Sequence, residues 1–218
     1  MGTVKTCGLK VRRKLGSSES KHFNQDILGF LNEDILTQIY QSLVNVGSNF
    51  VYGIGDVTTE ADTAEYTPSF SFDGFLREGS WVDGEDIYIS QVHETDKIKW
   101  DYGSTTNQPE AFYVTEDSKI GYLWIPDGAY TIHHTYWKPL VALTDYENDD
   151  LPWGGIWNKT IQNLLLVEML EYGKENSDKI LYHTQMARLE WEKAMSMVYQ
   201  RGIRRERQVS NMFTAEGI

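Results

Sequence analysis

A chain of 218 residues with 40% hydrophobic and 13% aromatic content can bury a substantial core and is too apolar to be disordered. Its single cysteine, Cys7, excludes an intrachain disulfide framework, and no apolar run approaches the roughly 20 residues needed to cross a bilayer. The net charge of -12 is unevenly spread: residues 22–200 hold ten basic and twenty-nine acidic residues, a net of -19, between basic ends. An acidic body argues against a protein that grips nucleic acid over a broad face; the ends can meet phosphate or an acidic partner, or stand as solvated tails.

Residues 1–22 read as an extended basic arm, broken by Gly16-Ser17-Ser18. The arm lacks the apolar segment of a secretory signal, and Gly2 with Thr6 matches a short myristoylation pattern that nothing else supports. Asn24 is a helix N-cap type with Phe23 placed as a staple. Leu28, Leu31, Ile35, Ile39, Leu43 and Val46 then recur at spacings of three and four, predicting a helix of about six turns that Gly47 ends.

From Phe50 to Trp100 the pattern is of short strands. Gly53-Ile54-Gly55 lacks the third glycine of a dinucleotide loop, since position 58 is threonine. Phe70, Phe72, Phe75 and Trp81 occupy a glycine-rich segment that packs on a sheet or projects as a loop. Residues 86–92 alternate as a half-buried strand, Lys97–Trp100 continue it, and 103–108 form a polar loop. Ile120–Ile125 is apolar on both faces, which predicts a central strand. Tyr130–Trp137 sets Tyr130, Ile132, His134 and Tyr136 opposite Thr131, His133, Thr135 and Trp137. Pro152 suits a helix start, and residues 156–172 are apolar nearly all round, as for a helix covered on several sides. Ser177–Arg201 predicts a last helix of roughly 36 Å at ~1.5 Å per residue, with Ile180, Ala187, Trp191, Ala194 and Val198 buried. Beyond Gly202 the chain reads as an arm again.

Catalytic and metal signatures are weak. His133 and His134 are adjacent in a strand and leave opposite faces, so packing is favoured over a shared metal. The run Asp145, Glu147, Asn148, Asp149, Asp150 lacks the glycine and glutamate of a calcium loop. Glu168 and Glu171 lie three apart on a helix, where a solvated or interface face is the usual reason. The sequon Asn158-Lys159-Thr160 falls inside a predicted buried helix. No cofactor is implied, and the chain reads as a non-enzyme.

The succession of FNQDILGFLNEDILTQIYQSLV, strands, PEAFYVTEDSKIGYLWIPDGAYTIHHTYWKPLVAL and TDYENDDLP leading into two helices resembles the head-to-tail adaptor (connector) proteins of tailed bacteriophages, the short-tailed type above all. The resemblance covers residues 22–200. It implies an α+β protein: a helical bundle (23–48 and 152–202) with an inserted antiparallel β domain (49–151), a basic N-terminal arm (1–22) and a C-terminal arm (203–218). It also implies a virion protein, assembled in the host cytoplasm as a dodecameric ring. Its partners would be the portal and a tail nozzle or tail tube protein, with double-stranded DNA in transit and no membrane. Arg201, Arg204, Arg205, Arg207, Met212 and Phe213 would dock to the portal; Trp157, Leu166, Met169, Leu170, Asp149 and Asp150 would meet neighbouring subunits. The alternatives are a tail-associated cell-wall hydrolase and a carbohydrate-binding module, the latter requiring Trp81, Trp100 and Trp124 as an exposed platform.

Overall fold

A computed structural model describes residues 2–16, 21–84, 88–95, 106–173 and 177–215, with the backbone alone for 21–23, 77–78 and 201–215. The chain is a mixed α+β protein of two compact units, one formed by Met1–Phe50 with Leu140–Ile218 and the other by Val51–Pro139.

In the first unit, the N-terminal stretch expected to be an extended arm contains a helix, α1 (Val4–Leu15). Thr3 caps it by accepting a hydrogen bond from the Thr6 N–H at 3.1 Å, and Gly16 closes it in the left-handed region at φ 69. Val4, Cys7 and Val11, at spacings of three and four, are buried. Burial pushes the Cys7 thiol up to about 12, which makes it an unreactive core residue.

The next helix starts earlier than Asn24 and is interrupted: α2 (Lys21–Phe30), a π-helical turn (Leu31–Ile35) and α3 (Leu36–Asn45) run on continuously. Its buried residues Ile27, Leu31, Ile35, Ile39 and Leu43 repeat every four positions. Such a repeat drifts around a helix of 3.6 residues per turn, and the wider π turn takes up the drift.

After a 3-10 turn at Gly154–Ile156 come α4 (Asn158–Tyr172) and α5 (Ser177–Ala215). α4 packs against α1, α2, the π turn and α5, so most of its apolar surface is covered within the chain. The buried side of α5 is formed by Ala187, Ala194 and Val198, with Trp191 set edge-on to Trp157 at 5.3 Å. Gly202 does not stop α5: a single internal glycine costs a helix about 1 kcal/mol, and the backbone stays helical to Ala215 where an arm was expected.

The second unit is a seven-stranded sheet: β1 (Tyr52–Thr58), β2 (Glu65–Tyr66), β3 (Gly74–Val82), β4 (Tyr88–Gln91), β5 (Ala111–Val114), β6 (Ile120–Leu123) and β7 (Thr131–Trp137). Their order is β1-β7-β3-β4-β5-β6-β2. The pairs are antiparallel except β4 with β5, which is parallel, so the expectation of a purely antiparallel sheet is corrected. β6 is buried at every position, yet it lies beside the edge strand β2 rather than at the centre. The Tyr113 ring lies so close over Gly121 that a Cβ there would meet it at 2.1 Å, so a side chain of the neighbouring strand covers that face of β6.

Gly53-Ile54-Gly55 belongs to β1, and Gly55 admits the Phe70 ring, which stacks on Tyr136 at 4.4 Å. Phe70 and Phe72 pack against a core of Val57, Phe75, Val82, Ile89, Phe112, Ile120, Tyr122, Ile132 and Tyr136. Lys97–Trp100 and residues 103–105, half of the polar loop at 103–108, lie outside the described residues.

Candidate functional site

β7 carries the two histidines to opposite faces, as the strand period requires. His134 is fully buried: its Nδ1 is 2.9 Å from Ser80 Oγ and its Nε2 is 2.8 Å from Tyr122 OH. Phe75 and Phe112 meet it edge-on. A neutral imidazole donates through one nitrogen and accepts through the other, and each hydroxyl can supply the complementary role. Desolvation lowers the His134 pKa to about 3 and also raises that of Tyr122, so both stay uncharged. The trio of serine, histidine and tyrosine is a closed polar node in an apolar core, with no access for a substrate.

His133 lies between two carboxylates: Nδ1 is 2.8 Å from Asp56 Oδ1 on β1, and Nε2 is 3.4 Å from Asp83 Oδ1 just past β3. Trp81 stacks beside it at 4.9 Å. Partial burial opposes the charge, but the hydrogen bonds to Asp56 and Asp83 outweigh it and the His133 pKa is raised. The His133 ring thus clamps three adjacent strands, and its nitrogens face different carboxylates instead of converging on one ion.

The acidic loop is organised by its own backbone. Asp145 Oδ1 accepts from the N–H groups of Glu147 and Asn148, and Asp149 Oδ2 accepts from those of Thr144 and Asp145. Hydrogen bonds from Asn148 and Glu147 hold the Asp145 carboxyl below its usual range. The loop also anchors α1, through Val4 N–H to Asp149 O at 3.0 Å and Lys5 Nζ to Glu147 Oε2 at 2.5 Å. Among the described residues, no group of three or more histidine, cysteine, aspartate or glutamate side chains is placed to hold a metal.

A groove of about 280 Å³ opens in the helical unit between Gln38 of α3, Leu164 and Val167 of α4, and Thr184, Ala187 and Trp191 of α5. Beside Leu164 and Val167, Glu168 and Glu171 continue the same face of α4 at helical spacing. Desolvation raises the Glu168 pKa, and the like charges of Asp34 and Glu171 raise it further. Elsewhere in this unit, α1 exposes Lys10, Arg13 and Lys14 along one side. The row repeats at spacings of three and four within the stretch expected to be an arm.

The residues expected at subunit contacts divide. Trp157, Leu166, Met169 and Leu170 are 0%, 1%, 6% and 3% exposed, enclosed by the chain's own helices. Asp149 and Asp150 lie in the acidic loop, where Asp150 is exposed. Arg201, Arg204, Arg205, Arg207, Met212 and Phe213 fall on the helical backbone of α5, and their side chains lie outside the described residues. Trp81 and Trp124 are half-buried, and Trp100 lies outside the described residues. Thr160 of the sequon is fully buried in α4.

Fold and geometry define an α+β protein with a helical unit, a sheet unit and an elongated last helix. No family model matches the chain, and no curated protein matches it.

Proposed function

We propose that this chain is a structural head-to-tail adaptor of a phage virion, a ring of copies between portal and tail with DNA passing through its lumen. In this reading the helices are the bundle that forms the ring body, and the inserted β domain faces the tail. The acidic composition suits a channel wall along which DNA must slide without being held.

The observation that supports it most is α5. The last buried residue among its described side chains is Val198, yet the helix runs on to Ala215, roughly 25 Å further at ~1.5 Å per residue. That length carries four arginines together with Met212 and Phe213, a composition that suits docking to a second protein.

Deleting residues 203–218 tests this directly. The truncated chain is expected to keep a cooperative thermal melt and its self-association, with circular dichroism reduced only by the helix removed, while losing co-purification with the portal protein. Unchanged portal binding would contradict the assignment of the docking end.

A further inference from the structure

The helical unit carries two charged surfaces, one basic on α1 and one acidic on α4, whose groups form no ion pair among the described residues. On α1, the apolar side is occupied by Val4, Cys7 and Val11, all at most 1% exposed, while Lys10, Arg13 and Lys14 stand out on the other side. The apolar side is therefore not free to enter a membrane, and the charge on the exposed row is positive. The second surface is the open groove between α3, α4 and α5, to which α1 contributes no residue. Leu164, Val167, Glu168 and Glu171 follow an i, i+3, i+4, i+7 pattern, so one face of α4 presents the apolar floor and two carboxylates together. Asp34, on the π turn, adds a third negative charge close enough to act on Glu168. Arg188 also lines the groove, but Glu192 engages it at 3.2 Å.

We propose that the basic side of α1 in one copy docks, in a second copy of this chain, on the face of α4 that carries Glu168 and Glu171 and on the groove that this face floors between α3 and α5. This inference rests on the ring reading above and names the surfaces that meet. Two different surfaces on one chain make a head-to-tail contact, which closes a ring when the rotation between copies allows it. Charge complementarity selects the occupant. A body of net -19 repels its own copies, and the row Lys10, Arg13, Lys14 offsets that repulsion locally. The half-buried Leu9, one turn before Arg13, supplies the apolar group that the groove floor can cover.

Sedimentation of the full chain over a range of concentrations, at low and high salt, tests the contact. The wild-type chain is expected to self-associate and to dissociate as salt rises. Reversing the row with Lys10→Glu, Arg13→Glu and Lys14→Glu should weaken association by ~10-fold or more, while the monomer stays folded with at most a small drop in its melt from the two charges placed at the end of α1. Adding Asp34→Lys and Glu171→Lys to that variant should restore association.

If the reversed row associates as well as the wild type, or the second pair of changes restores nothing, this contact is wrong and the ring reading stands. If the row's reversal leaves association intact and instead abolishes retention of double-stranded DNA, the basic side serves phosphate and the proposal is overturned. A wild-type chain that stays monomeric at every concentration overturns both.

Discussion

Replacing His134 with alanine is expected to destabilise the sheet unit by about 3–5 kcal/mol, read as a shift in the denaturant midpoint. The substitution opens a cavity between Phe75 and Phe112 and strands the hydroxyls of Ser80 and Tyr122 in an apolar core. Tyr122→Phe removes a single hydrogen bond and should cost less, about 1–3 kcal/mol, because one imidazole nitrogen loses its partner while the packing survives. A His134→Ala variant as stable as the wild type would mean that the node is not closed.

The same residue sets an acid limit. Its pKa falls from an ordinary 6.5 to about 3 in the fold, so between those values the unfolded chain binds a proton that the folded chain refuses. Stability should therefore fall as pH drops from 6.5 towards 3, by up to about 1.4 kcal/mol per pH unit from this group, and should not depend on it above 6.5. His133 acts in the opposite direction. Its pKa is raised by Asp56 and Asp83, so its contribution is fully present below 6.5 and is lost as pH rises through the raised value. In Asp56→Asn with Asp83→Asn the alkaline-side loss should disappear while the acid-side loss remains.

Trp157→Ala is expected to cost a further large amount, about 3–5 kcal/mol, in the helical unit. The side chain is wholly buried at the entrance to α4 and meets Trp191 of α5 edge-on at 5.3 Å. Because the chain's own helices enclose it, the loss should appear in the isolated chain and be independent of protein concentration. Destabilisation seen only under conditions where copies associate would return Trp157 to a subunit contact, the role that sequence alone suggested.

That difference shows what the sequence could and could not convey. The all-round apolar pattern of residues 156–172 announced a helix covered on several sides, but not whose side chains cover it. The missing cover was α1, hidden because its basic residues and flanking glycines resemble an unstructured arm. Its Thr3 cap and the spacing of Val4, Cys7 and Val11 were the signals available. β7 was legible because alternation places His133 and His134 on opposite faces whatever the fold. The place of β6 was not legible, since burial on both faces looks alike whether a further strand or a ring such as Tyr113 provides it. The π turn escaped for a related reason: a four-residue repeat fits either a drifting stripe or a local widening of the helix. The groove between α3, α4 and α5 needs three separate segments to converge, which no local pattern records.

The central claim, that this chain is a ring-forming adaptor, is tested most directly by the mass of its particle with and without the portal protein. The account predicts a discrete, multi-subunit species with the portal and its loss when residues 203–218 are removed. A chain that remains a monomer in both cases would contradict it.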